Sequence, residues 1–84
     1  MNLNIREIEY ILVIAAEGSI TKASQKLYVA QPSLSQILKR VEAEFNVSLF
    51  TRVKGRLKLT PEGEVFVRSG QEILDTMEQL TNKF

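Results

Sequence analysis

The sequence predicts a mainly α domain, in which three helices and a two-stranded β-hairpin precede a long C-terminal helix. Three observations predict this arrangement. Apolar residues recur at helical spacing over residues 5–45. Within residues 48–60, leucines alternate with basic residues beside a Lys-Gly pair, as in a hairpin. An apolar seam then runs from residue 66 to the end. With 84 residues, the chain has the size of one small domain.

The composition excludes several kinds of site. The chain has no cysteine and no histidine, so disulfides, Cys/His zinc sites and histidine acid-base catalysis are excluded. The first residues mix charged with apolar groups, unlike a secretory signal, and no apolar run approaches the roughly 18 to 20 residues that span a bilayer. We therefore expect a soluble, cytoplasmic protein that carries no metal and no cofactor.

The net charge of +1 is unevenly distributed along the chain. Residues 1–17 carry one basic and three acidic groups, residues 18–61 carry eight and two, and residues 62–84 carry two and five, which gives −2, +6 and −3. A basic central segment favours contact with a polyanion. A solvated surface with chance clustering explains the charge alone equally well.

The first helix is predicted from Ile5 to Glu17, because apolar residues share one face and Gly18 follows as a stop. Ser19 or Thr21 is expected to cap a second helix of about two turns. The inner face of this second helix is predicted to hold Ile20, Ala23 and Leu27. Its outer face is predicted to hold Lys22, Ser24, Gln25 and Lys26.

A third helix is expected to begin near Gln31, since Pro32 suits a first turn, where an N–H has no intrahelical partner. Asn46 is expected to end it in a left-handed conformation. The outer face of this helix has no carboxylate before Glu42, because none occurs between Glu17 and Glu42. A solvated helix usually includes acids, whereas a helix pressed against phosphates cannot easily do so. The residues predicted to be buried along it are Leu34, Ile37, Leu38, Val41 and Phe45.

The hairpin and the last helix have their own local signals. Lys54-Gly55 is expected to join two short strands, the second of which alternates leucines with basic residues. Thr60 then supplies an N-cap, Pro61 a first-turn proline and Glu62 a first-turn acid for a helix that nearly reaches the chain end.

The last helix carries an apolar seam with spacings of four and three residues, as in a coiled coil. We interpret the seam as a dimer interface; packing onto its own domain is the alternative interpretation. The glycine within it costs about 0.8 to 1.0 kcal/mol relative to alanine and is expected to let two such helices approach closely. The seam consists of Phe66, Gly70, Ile73, Met77, Leu80 and Phe84.

Two short helices with a tight break, followed by a basic hairpin, match the outline of a winged helix-turn-helix, whose second helix enters the DNA major groove. The segments ASQKLYVAQPSLS, LFTR and GRLKLTPEG occur here in that order. With them, nearly the whole chain closely resembles the N-terminal DNA-binding domain of the LysR-type transcriptional regulators. The resemblance implies a winged domain over residues 1–60 and a linker helix over 61–84, through which a homodimer pairs antiparallel. It also implies binding to an interrupted inverted repeat upstream of regulated promoters.

The resemblance also implies a set of DNA contacts. The matching positions are Gln31, Pro32, Ser33, Ser35 and Gln36 on the third helix, with Arg52 and Arg56 near the wing. Glutamine suits the paired edge of adenine, and proline offers an apolar surface to a thymine methyl. Lys39 and Arg40 lie further along the helix and suit phosphate, and Lys54 joins the wing unless it is only a solvated hairpin tip.

The sequence departs from the family pattern at Ala30, where members often have a serine that caps the third helix. The absence of this cap is expected to lower the stability of the helix by about 0.5 to 2 kcal/mol. At Gln36 many members have arginine, so we expect a half-site richer in A and T. Asn46 replaces a usual glycine. Members normally continue into an effector-sensing domain, so we expect an excised domain or a natural short form, without a small-molecule site.

Other functions have less support in the sequence. No enzyme activity is expected, because carboxylates two apart, such as Glu42 and Glu44, point to different faces of a helix. A protein-protein role for the same fold is the second alternative, since a fold does not fix a function.

Overall fold

The computed structural model describes the whole chain, residues 1–84, as four helices and one antiparallel hairpin. The elements in order are α1 (Ile5–Glu17), α2 (Ile20–Leu27), α3 (Gln31–Phe45), β1 (Phe50–Val53), β2 (Arg56–Leu59) and α4 (Pro61–Asn82). The predicted fold class and the predicted order of elements are confirmed. None of the helices combines the length and the apolar character that a membrane crossing requires.

The first two helices begin at side-chain caps. Asn4 accepts a hydrogen bond from the N–H of Glu7 at 2.9 Å, and the Glu7 carboxylate accepts one from the N–H of Asn4 at 3.2 Å. This reciprocal pair is a capping box. Of the two candidate caps for α2, Ser19 is the one used: its hydroxyl accepts from the N–H of Lys22 at 3.1 Å, whereas Thr21 lies inside the helix.

Left-handed residues end the first three helices, with Gly18 at φ 65 after α1, and form the hairpin turn. Asn46 ends α3 with φ 53, as predicted, and Tyr28 ends α2 with φ 56. Tyrosine rarely adopts this conformation, so the sequence does not signal the second case. Lys54 and Gly55 have φ 51 and 77, and two positive values favour a turn whose twist matches that of the strands. Val53 therefore pairs with Arg56 across the turn.

The core lies where α1, α2 and α3 meet the start of the hairpin. Its buried apolar residues are Ile11, Ile14, Ala23, Leu34, Leu38, Val41, Leu49 and Phe50. Ile37 is only half-buried, at the edge of this cluster. The prediction that Phe45 is buried was wrong: the residue is 41% exposed and its ring packs edge-on against Phe66, with centroids 6.2 Å apart. Phe45 lies in the last turn of α3, where its ring faces Phe66 of α4.

Ser24 was also predicted incorrectly, because it is buried rather than on the outer face of α2. It is 6% exposed, and its hydroxyl donates to the backbone carbonyl of Thr21 at 2.7 Å. A small side chain whose hydroxyl bonds within its own helix leaves no polar group unsatisfied. This explains why a serine is tolerated where α2 meets the core.

The first half of α4 packs on the domain through two buried glycines. A Cβ at Gly70 would lie 2.9 Å from Ile8 Cγ2 and 3.1 Å from Leu12 Cδ1, so α1 of the same chain makes the close approach that the sequence suggested for a second α4. Phe66 is partly buried against the core. The rest of the seam is uncovered, with exposed fractions of 42%, 45%, 56% and 102% at Ile73, Met77, Leu80 and Phe84.

Gly63→Ala should destabilise the domain far more than Gly70→Ala does. A Cβ at position 63 would overlap the backbone carbonyl of Leu49 and lie 2.9 Å from Leu59 Cδ2, whereas position 70 meets only the ends of side chains. Both changes gain the same helix propensity, so each is the control for the other. Urea unfolding should show a loss of about 2 to 3 kcal/mol for Gly63→Ala and a change within about 1 kcal/mol for Gly70→Ala. Equal effects would contradict this packing.

Candidate nucleic-acid interface

The front of α3 is an exposed surface that a buried stripe holds in place. Leu34 in the first turn is 0% exposed, and Leu38 and Val41 are 7% and 1% exposed on the same face. The outward residues of the first two turns are Gln31, Pro32, Ser33 and Gln36, all exposed, with Ser35 half-buried beside them. The stripe anchors the helix to the domain while its front remains open to solvent.

The N-terminus of α3 has no side-chain cap. Ala30 precedes the helix with φ −61 and ψ 136 and offers only its carbonyl, which accepts from the N–H of Leu34 at 3.1 Å. Pro32 has no N–H to satisfy. The N–H groups of Gln31 and Ser33 therefore point out of the helix end without a side-chain acceptor, where an anion is favoured.

The two basic residues further along α3 have different surroundings. Lys39 is exposed and takes part in neither ion pair of the chain. Arg40 forms an ion pair and hydrogen bond with Glu7 of α1, whose side chain is only 11% exposed. Because Glu7 also belongs to the capping box of α1, Arg40 links α3 to the start of α1.

The hairpin is attached to the end of α1 through Arg56. Its guanidinium donates to the backbone carbonyl of Glu17 at 3.3 Å and lies against Gly18, where a Cβ would be 2.7 Å from Nη2. The N–H of Leu57 donates to the carbonyl of Gly18 at 3.0 Å. A cation at the C-terminal end of α1 is favourable for the helix dipole. Arg56 therefore holds the wing against the domain.

The other basic residues of the hairpin remain accessible. Arg52 Nη1 donates to the carbonyl of Gly55 at 3.4 Å, across the turn. Lys54 lies in the turn itself, is exposed, and forms no ion pair. The hairpin thus presents Arg52 and Lys54 near its tip and the exposed Lys58 on β2, whereas Arg56 attaches it to the domain.

Thr21 is a residue of this surface that the sequence-based prediction missed. Its hydroxyl donates to the side-chain oxygen of Gln31 at 3.2 Å and joins the first turns of α2 and α3. Nothing in the sequence signals a bond between two residues ten positions apart. Glu7 was missed as well, although the spacing Asn4-x-x-Glu7 is a recognisable capping-box pattern.

A short second helix, a third helix whose exposed front carries no carboxylate, and a basic hairpin define the chain as a winged helix-turn-helix domain. The family model of the bacterial regulatory helix-turn-helix proteins of the lysR family matches residues 5–64. The chain belongs to this family, which confirms the resemblance found in the sequence.

Relatives and solved structures agree with this assignment. The chain is 46% identical over 77 residues to the HTH-type transcriptional regulator BsdA of Bacillus subtilis (strain 168), a match that covers 90% of this chain and 27% of BsdA. It is 41% identical over 78 residues to the uncharacterized HTH-type transcriptional regulator YcgK of the same organism, covering 93% of this chain and 24% of YcgK. The chain thus spans about a quarter of the length of these curated relatives.

Among solved structures, the BenM DBD in its complex with catB site 1 DNA has a TM-score of 0.90 with this chain. The two are 32% identical, and the match covers 96% of this chain and 90% of that one. The winged fold and the long last helix are therefore shared with a DNA-binding domain crystallised on DNA.

Lys39→Ala and Arg40→Ala should separate DNA affinity from stability. Arg40→Ala leaves the nearly buried Glu7 carboxylate without its partner, so we expect the free energy of unfolding to fall by about 1 to 2 kcal/mol. Lys39→Ala should change stability by less than about 0.5 kcal/mol. It should instead weaken binding to all DNA alike and lower the slope of log K against log salt by about one. Urea unfolding and fluorescence anisotropy on both variants measure these quantities, and the reverse pattern would refute the assignment.

Proposed function

We propose that the chain binds double-stranded DNA in a sequence-specific manner, as the DNA-binding part of a transcriptional regulator, with α3 in the major groove. The observation that carries the proposal is the front of α3, which is exposed, acid-free and uncapped. The phosphates of DNA repel carboxylates and are attracted by the free N–H groups of a helix N-terminus. The front of α3 meets both conditions, because it has no carboxylate and its N-terminus is uncapped. The likeness to a DBD solved on DNA supports the proposal.

The front of α3 reads base edges in this proposal. Gln31 and Gln36 carry amides that hydrogen-bond to bases, and Pro32 offers an apolar surface to a thymine methyl. Ser33 and Ser35 are small enough to let the helix approach closely, and their hydroxyls reach a base or a phosphate.

The remaining contacts neutralise phosphate. The open N–H of Ser33 and the side chain of Lys39 face the DNA backbone on either side of the reading surface. Arg52 and Lys54 place the wing tip in or beside a minor groove. Arg40 and Arg56, which bond to α1, act mainly by holding α3 and the wing in the positions that this docking needs.

Dimerisation occurs through α4 in this proposal. The distal seam residues Ile73, Met77, Leu80 and Phe84 are uncovered. An apolar groove of about 520 Å³ lies beside the first half of the same helix, and nine of the twelve residues that line it are hydrophobic. Since α4 has 22 residues and is about 33 Å long, antiparallel pairing brings the distal residues of each helix over the groove of its partner.

The same proposal defines the roles of the two parts of the chain. Residues 1–60 form the DNA-binding part and residues 61–84 the dimerisation helix, although the first half of α4 also packs on α1. Two such domains on one face of the DNA would bind an interrupted inverted repeat, with recognition helices about 34 to 36 Å apart or a multiple of that distance. The protein acts in the cytoplasm on nucleoid DNA, and its role is binding rather than catalysis.

Selection of bound sites from random DNA tests the proposal, and the same selection with Gln31→Ala tests the role of this one residue. The unaltered chain should select an inverted repeat. Gln31→Ala should lose discrimination at one base pair of each half-site, at a cost of about 1 to 3 kcal/mol. Anisotropy over a series of salt concentrations gives both the affinity and the phosphate contribution.

Affinity that is insensitive to salt would show that α3 does not meet phosphate and would favour a protein partner instead. Equal weakening by Gln31→Ala on selected and scrambled DNA would show that Gln31 does not read a base.

Leu80→Lys should dissociate the dimer, and Gln79→Lys is its matched control. Both changes add one positive charge at neighbouring exposed positions of α4, but only position 80 lies on the seam. Sedimentation equilibrium at micromolar concentration should show a dimer for the unaltered chain and for Gln79→Lys, and a shift toward monomer for Leu80→Lys. A monomer for the unaltered chain, with and without DNA, would exclude pairing through α4.

A further inference from the structure

Thr21 is the residue of α2 that contacts the reading front of α3. Its hydroxyl donates a hydrogen bond to Oε1 of Gln31 at 3.2 Å. Thr21 lies in the first turn of α2 and Gln31 is the first residue of α3, so the bond joins the N-terminal ends of the two helices. Both residues are exposed, and a solvent-exposed bond of this kind contributes little to stability.

The first turn of α2 holds Thr21 in a fixed position. The buried hydroxyl of Ser24 donates to the backbone carbonyl of Thr21 at 2.7 Å. Ser19 caps the same turn through the N–H of Lys22 at 3.1 Å. These bonds fix the backbone on both sides of Thr21, from which its hydroxyl reaches Gln31.

In this bond the oxygen end of the Gln31 amide faces Thr21, and the nitrogen end faces outward. An unrestrained glutamine presents an oxygen acceptor and N–H donors together, the combination that matches the N6 and N7 edge of adenine. With Oε1 turned toward Thr21, Nε2 faces away from α2 and presents only donors. Guanine presents two acceptors, N7 and O6, in the major groove and is the better match for such a group.

We propose that Thr21 sets the base preference of this surface by holding Oε1 of Gln31, so that Gln31 reads its base as a donor. The inference rests on the proposed DNA-binding function. The base that Gln31 is expected to prefer thereby changes from adenine to guanine. Thr21 is a positioning residue, because it acts through Gln31 and needs no base contact of its own.

Two substitutions at Thr21 isolate its hydroxyl. Thr21→Val removes the hydroxyl and keeps the branched shape, whereas Thr21→Ser keeps the hydroxyl. The probe is the DNA site selected by the unaltered chain, with each base pair replaced in turn in both half-sites, and Gln31→Ala identifies the base pair that Gln31 reads. Thr76→Val is the control, since the hydroxyl of Thr76 bonds only to the backbone of Glu72 on α4.

At the base pair read by Gln31, Thr21→Val should change the preference by about 3- to 10-fold, from guanine toward adenine, because one hydrogen bond no longer restrains the amide. Thr21→Ser and Thr76→Val should keep the preference of the unaltered chain. In the Gln31→Ala background, Thr21→Val should cause no further change at that base pair, since the group that it orients is gone.

Three outcomes would overturn the role of Thr21. They are an unchanged preference in Thr21→Val, equal weakening of selected and scrambled DNA, and an effect that persists in the Gln31→Ala background. The last two would show that Thr21 contacts DNA directly. An unaltered chain that selects no sequence would overturn the proposed function itself, and the role of Thr21 with it.

Discussion

The backbone of Leu49 ties three elements together, and the placement of the wing and of α4 relative to α3 depends on it. Its N–H donates to the carboxylate of Glu42 on α3 at 2.7 Å, and its carbonyl accepts from the N–H of Thr60 at 3.0 Å, where α4 begins. Its side chain is 1% exposed within the core. Gly63 lets α4 pass directly against the same carbonyl. A shift at Leu49 would therefore move the hairpin, the end of α3 and the start of α4 together.

Some basic residues of the domain stabilise the fold, and others are exposed and free to bind a polyanion. Arg40 and Arg56 bond to α1 and hold α3 and the hairpin in place. Lys39 and Lys54 form no ion pairs and remain accessible to a polyanion. The front of α3 lacks the stabilisation of an N-cap, because Ala30 forms no side-chain hydrogen bond to the helix. The buried stripe that begins at Leu34 offsets this loss of helix stability. Loss of local stability at one place, compensated by the core, is typical of a binding surface.

The features that depend on neighbours in the chain could be predicted from the sequence. The bounds of α1, the left-handed residue Asn46 and the turn at Lys54-Gly55 follow from caps, periodicity and turn chemistry. The sequence could not give partners distant in the chain. Arg40 pairs with Glu7, and α1 packs on Gly70; both contacts form only when the helices assemble. For the same reason the sequence identified the exposed residues of α3 but not the bond that orients one of them.

The most direct test of the exposed front of α3 as a DNA-reading surface is an NMR titration of the ¹⁵N-labelled chain with its selected DNA site. The largest shifts should fall on the backbone N–H of Ser33 and on the side-chain amides of Gln31 and Gln36. Smaller shifts should appear at Arg52 and Lys54 in the wing, and scrambled DNA should leave the glutamine side-chain amides nearly unchanged. Shifts confined to α4 and its apolar groove, with the front of α3 unmoved, would contradict the proposed docking.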